Sequence, residues 1–180
     1  SWSRTGSGGA FDGNVYYVGL YFHLYRQTPT GAVSDVGLLT AITGDTVFST
    51  LNAGDIAGDG NGRLYMYSSV GGTGLSYLYR IDVNTLKATL MRQVGPNGAS
   101  GLAFTTTGQL FTTSIAGTTT SPWSINLGVY PGGATDLGTV TGLGAGQTVY
   151  DLASCNLPVL NPVITTTKAV ANITTGQNPA

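Results

Sequence analysis

The sequence contains no glutamate. Its eight acids are all aspartate, and they face two lysines and five arginines, so that 8% of the chain is charged against a usual figure of about 25%. The basic residues are scattered singly, which excludes an electrostatic footprint for nucleic acid and a basic amphipathic helix for a membrane surface. One histidine, His23, and the missing glutamate leave too little material for most hydrolytic constellations. One cysteine, Cys155, excludes an internal disulfide. It reads as a small buried hydrophobe, with an intermolecular bridge or a reactive thiol as the rival readings. No apolar run approaches the ~20 residues of a membrane-spanning helix. There is no P-loop, and neither "GDGNGR" nor "GGTG" is a dinucleotide fingerprint, because no helix follows either one. No cofactor is called for.

Glycine (28) and threonine (27) replace the missing charge in the 180 residues. Such a chain is poor helix material and suits sheets, where threonine packs on a half-buried pleat. The length is ample for one domain with a sizeable core.

An internal repeat is the strongest signal. "GDIAGDGNGRLYMYSS" (Gly54–Ser69) superposes without gaps on "SGLAFTTTGQLFTTSI" (Ser100–Ile115) at an offset of 46 residues. Ile56 falls on Leu102, Ala57 on Ala103, Gly62 on Gly108, Leu64 on Leu110 and Tyr65 on Phe111. Each copy reads strand, glycine-containing turn, strand, which is a hairpin. Ser76–Thr85 and Ser121–Tyr130 supply a third strand, and Ala88–Gly95 and Ala134–Gly142 a fourth. "NTLKATLMRQV" (Asn84–Val94) is the one candidate helix; its glycine- and threonine-rich counterpart makes it a strand instead. Four antiparallel strands per unit, A to D, are the pattern of a propeller blade.

Both ends fit the same unit. Gly13–Gly19, Tyr21–Gly31 and Ala32–Thr40 read as strands B, C and D with no strand A before them. Tyr150–Ser154 reads as a strand A with no strand B after it. The expected fold is therefore all-β. It is a propeller-like ring of about three four-stranded units over residues 1–157, closed by pairing of the N- and C-terminal strands. Residues 158–180 add an extended linker and a long C-terminal strand. The opening without methionine and the stop at "QNPA" lead to the expectation that both ends are cut.

Few residues carry candidate chemistry. Asp55, Asp59 and Asn61 offer oxygen ligands at short spacing, but "DGNG" is also strong turn chemistry. Asp55 and Asp151 both open an A strand, where two carboxylates can hold a cation or simply cap backbone N–H groups. Tyr16, Tyr17, Tyr21, Phe22, Tyr25, Tyr65, Tyr67, Tyr77 and Tyr79 read either as core packing or as a surface for sugars or proteins. Asn172 begins an N-glycosylation sequon by pattern.

"FDGNVYYVG", "GDIAGDGNGRLYMYSS", "LYRIDVNT", "SGLAFTTTGQLF" and "VYDLASC" resemble the propeller-like repeats of large bacterial surface proteins, which precede β-sandwich repeats called DUF11 domains. "TTTKAVANITTGQNPA" resembles the first strand of such a sandwich. The resemblance implies an extracellular or cell-surface location and a structural or adhesive role, and it brings no catalytic residues. A first strand without its sandwich is an open edge, which proteins usually blunt or cover. Residues 163–175, extended over roughly 43 Å at ~3.3 Å each, put Val163, Thr165, Thr167, Ala169, Ala171 and Ile173 on one face. Ile164, Thr166, Lys168, Val170, Asn172 and Thr174 lie on the other. Apolar groups on both faces suit a strand donated to a neighbouring copy, and head-to-tail donation builds a filament. The expected subunit interface is Val163, Ile164, Thr165, Thr167, Ala169, Val170, Ala171 and Ile173. The expected protein is a non-enzymatic structural subunit whose partners are copies of itself, with surface glycans or proteins as further partners. The rival reading is a carbohydrate- or protein-binding adhesin module.

Overall fold

A computed structural model describes residues 9–11, 14–59, 63–70, 75–96, 99–116, 119–127, 134–145, 147, 149 and 152. Among them lie thirteen strands in three sheets, two short 3-10 turns and no α-helix. Sheet 1 runs in the order β1 (Gly9–Phe11), β2 (Asn14–Val18), β3 (His23–Gln27) and β4 (Val33–Leu38). Sheet 2 holds β6 (Leu51–Gly58), β7 (Leu64–Val70), β8 (Leu75–Asp82) and β9 (Lys87–Pro96), with the two-residue β5 (Thr40–Ala41) parallel to the start of β9. Sheet 3 holds β10 (Ala99–Phe104), β11 (Leu110–Ala116), β12 (Thr119–Ile125) and β13 (Ala134–Asp136). Each sheet is an antiparallel meander, apart from β5.

The repeat is a repeat of register. Gly58 pairs with Leu64 as Phe104 pairs with Leu110, and Ile56 with Met66 as Leu102 with Thr112. Residues 87–96 form a strand paired to β8, as the counterpart pattern required. The turns repeat in chemistry as well. In the β10–β11 turn the Thr105 N–H donates to the Gln109 carbonyl (2.9 Å), and Thr105 Oγ1 accepts from the Gln109 N–H (3.1 Å). One repeat earlier the Asp59 N–H donates to the Arg63 carbonyl (3.1 Å), and Asp59 Oδ1 accepts from the Arg63 N–H (3.1 Å). The β3–β4 turn repeats the threonine version: Thr28 meets Thr30 as Thr105 meets Thr107, each at 2.9 Å. Gly31 (φ 88°) and Gly108 (φ 83°) supply the left-handed residue that closes both.

Sheet 2 is the middle layer. Alternate residues of β7 point opposite ways. Leu64 and Met66 join Tyr79 and Ile81 in a core against Tyr16, Val18 and Leu24 of sheet 1. Tyr65 and Tyr67 join Leu78 and Val94 in a second core against Leu102, Phe104, Leu110 and Ile125 of sheet 3. Both faces of β7 are thus covered, which explains why "LYMYS" is buried without polar alternation. Each buried large side chain contributes roughly 1.5–3 kcal/mol. The first strands of the sheets are neighbours: β6 lies against β10 and β1.

Three expectations need correction. A strand does precede β2: β1 pairs Gly9 with Tyr16, Ala10 with Val15 and Phe11 with Asn14. It escapes a pattern search because Gly9-Ala10-Phe11 carries one large apolar side chain. The edge of β2 expected to receive residues 150–154 is therefore occupied as far as Tyr16; of those five residues only Leu152 is described, and it is not in a strand. The last strand of sheet 3 ends at Asp136, not Gly142, because Gly138 turns left-handed (φ 89°). The chain still follows β12, with the N–H groups of Leu137 and Val140 donating to the carbonyls of Pro122 and Thr120. Finally, β3 begins at His23 rather than Tyr21, because Leu20–Phe22 is a 3-10 turn with Tyr21 and Phe22 both at positive φ.

Candidate binding groove

A groove lies between sheets 1 and 2. β1 covers β2 as far as Tyr16, so among the described residues the edge of Tyr17 and Val18 has no strand beside it. Next to that edge lies a cavity of about 580 Å³ between sheets 1 and 2, within the ~300–1,000 Å³ of ordinary ligand sites. Its floor is low because Gly54 and Ser68 carry little side chain there, beside Ile56 and Met66. Gly54 has to be glycine, since a Cβ would meet the Tyr67 carbonyl oxygen at 1.8 Å. Val18, Leu39, Phe22 and Phe48 form apolar walls, and Thr40, Asp45 and Ser49 a polar end.

Asp45 organises that end. Its Oδ1 accepts the N–H groups of Val47 (2.8 Å) and Phe48 (3.2 Å) and the Tyr79 hydroxyl (3.3 Å). The first two bonds make an Asx turn that starts the 3-10 turn Phe48–Thr50. Phe48 is thereby aimed into the wall, with its ring 4.7 Å from Phe22 and 5.4 Å from Tyr79 between centroids. Burial, and then the Asp45 carboxylate on its hydroxyl, push the Tyr79 phenol above the ordinary tyrosine range.

The rim of the groove is strained. Tyr21 (φ 57°, ψ 25°) and Phe22 (φ 63°) are consecutive left-handed residues with side chains, at about 1–2 kcal/mol each. The turn is held by the Gly19 N–H to the His23 carbonyl (2.8 Å), the Phe22 N–H to the Gly19 carbonyl (3.2 Å) and the Leu39 N–H to the Phe22 carbonyl (2.9 Å). It seats Phe22 on Phe48 and leaves Tyr21 84% exposed at the mouth.

The sequence candidates fall elsewhere. Asp55 is buried between sheets, with Oδ1 accepting the Ile56 N–H (2.8 Å) and Oδ2 the Leu102 N–H (2.7 Å). Asp59 serves the β6–β7 turn. Both carboxylates are thus engaged by backbone, and among the described residues no three His, Cys, Asp or Glu side chains come together. Asn61, Asp151, Cys155 and the expected interface residues Val163, Ile164, Thr165, Thr167, Ala169, Val170, Ala171 and Ile173 lie outside the described residues. Of the aromatics, Tyr16, Tyr65, Tyr67 and Tyr79 are core and Tyr21 is not. His23 Nδ1 sits 3.0 Å from Asp35 Oδ2 on the outer face of sheet 1. A smaller cleft gathers Arg63, Arg80 and Lys87 around Asp82, whose carboxyl is held below its ordinary range by the N–H groups of Thr85 and Asn84.

Sequence reasoning missed Asp45 and Phe48. The available signal was "GDTVFST", where an aspartate two residues before the first apolar one fits an Asx turn linking two units. No protein-family model matches the chain, and no curated protein does.

Proposed function

We propose that the protein is a non-enzymatic, extracellular structural subunit. Its body is a small propeller-like arrangement of three units, and its residues 163–175 add as a strand to a neighbouring copy, building a head-to-tail fibre. The observation that carries this reading is the apolar groove between sheets 1 and 2. Its walls of Val18, Phe22, Leu39 and Phe48 offer apolar pockets, the feature that gives strand addition its specificity for alternate side chains. The likeness to bacterial surface repeats supports the same location and role. Deleting residues 158–180 is expected to leave a folded body, by circular dichroism, that forms no filaments under the electron microscope. Persistence of the same polymers in the truncated protein defeats the proposal.

The outer face of sheet 1 favours a second reading, an adhesin module. Tyr17 and Tyr25 are cross-strand partners there. The Tyr17 hydroxyl donates to Gln27 Oε1 (2.8 Å), and His23 pairs with Asp35. Tyrosine rings beside planar polar groups match the C–H faces and hydroxyls of a sugar. Glycan-array binding that falls on the order of tenfold in Tyr17→Ala supports it; an array silent with the unaltered protein removes it.

A further inference from the structure

We propose that Tyr21 is the docking anchor of the groove, and that the segment docked there is residues 163–175 of a second copy. This rests on the fibre reading and assigns its acceptor site. Phe22 has an internal reason for its left-handed backbone, because the turn sets its ring against Phe48. Tyr21 has none: its side chain is 84% exposed, and glycine would hold φ 57° without a Cβ penalty. An isolated subunit gains nothing visible from an aromatic ring in that place. Strained backbone of this kind clusters at ligand clamps and switch regions, and an exposed tyrosine at the mouth of an apolar groove has the character of an interface hot spot.

The groove selects its occupant by size and charge. A floor of Gly54 and Ser68 under walls of Val18, Leu39 and Phe48 accepts small and branched side chains on an extended backbone. Residues 163–175 consist of Val, Ile, Thr and Ala, with Lys168 and Asn172 the exceptions. Lys168 is the only charge in that segment, and Asp45 is the only acid lining the groove among the described residues. Asp45 Oδ2 is enclosed and takes no hydrogen bond among the described residues, so a donor reaching the polar end would complete its partners. Residues 153–180 follow the last described position, Leu152, and their fully extended length would be roughly 90 Å at ~3.3 Å per residue.

Two variants of the full chain test the assignment. Tyr21→Gly relieves the strain, so its melting temperature is expected to rise, while the concentration needed for sedimentable polymer rises on the order of tenfold. A purely structural role for Tyr21 would instead lower the melting temperature as polymerisation weakens. In the second variant a photoreactive benzophenone side chain replaces Tyr21, and isotopically heavy and light copies are mixed before irradiation. Cross-links joining position 21 of one copy to residues 163–175 of the other support the proposal. Cross-links confined to single copies, cross-links to another region of the neighbour, or unchanged polymerisation of Tyr21→Gly overturn it, while the fibre reading still stands or falls on the 158–180 deletion. A full chain that forms no polymer overturns both.

Discussion

Asp55→Ala is expected to lower the free energy of unfolding by about 3–5 kcal/mol, read as the shift of a urea denaturation curve. The carboxylate is 1% exposed and lies on β6, yet one of its bonds reaches another sheet. Oδ2 accepts the N–H of Leu102 on β10 at 2.7 Å, and Leu102 is itself 2% exposed. Alanine leaves that N–H and the Ile56 N–H buried without this acceptor. Charge-assisted bonds of this kind contribute roughly 1.5–3 kcal/mol each, and an orphaned buried donor costs a further ~1–3. Asp55→Asn keeps the shape and one acceptor oxygen, so about half of the loss is expected. A cost below about 1 kcal/mol for Asp55→Ala would mean that the contact between sheets 2 and 3 rests on apolar packing alone.

The same residue marks what the sequence could and could not disclose. Strands were legible because each copy of the unit carries its apolar positions at the same offset: Ile56 and Leu102, and Leu64 and Leu110, are all buried. The repeat also decided residues 87–96, where local pattern alone allowed a helix. Asp55 was legible as a capping group or a ligand, but its actual partner, Leu102, is a backbone N–H on another sheet, and no spacing announces such a bond. Its counterpart at the same offset is Gly101, so the repeat itself gave no hint of a carboxylate stitch. The groove was hidden for a different reason. It is lined by the small residues Gly54 and Ser68 together with Val18, Phe22, Leu39 and Phe48 from other segments. An absence produced by three separate segments leaves no motif. Tyr21 stood in an aromatic run, "YYVGLYFHLY", that reads as packing. A left-handed turn at Leu20–Phe22 lifts this one ring out of the core.

Alkaline titration is expected to unfold the protein cooperatively, because three phenols stay protonated beyond the ordinary tyrosine range. Tyr67 is raised by burial, only partly offset by the hydroxyls of Ser76 and Thr112. Tyr65 is raised by burial and then by Asp59. Tyr79 is raised by burial and then by Asp45, and is the most displaced of the three. Their folded values lie above the ordinary 10.0. Between that value and the folded ones the unfolded chain has released protons that the native state retains, so unfolding gains with every increment of pH. The stability these groups contribute is fully present below pH 10 and is lost as pH rises through the folded values. Each tyrosine changes stability by about 1.4 kcal/mol per pH unit, and three acting together by about 4. Against the ordinary ~5–15 kcal/mol of a domain, this loss is expected to bring the unfolding transition into the range above pH 10. The measurement is tyrosinate absorbance followed alongside circular dichroism, with the last tyrosinates appearing in step with the loss of the β signal. Tyr79→Phe removes one of the three protons and is expected to make the alkaline transition shallower, while loosening Asp45 and with it the polar end of the groove. Complete tyrosinate formation near pH 10 in a chain that keeps its β signal would show that these phenols are open to water, and that the two cores flanking β7 do not close around them.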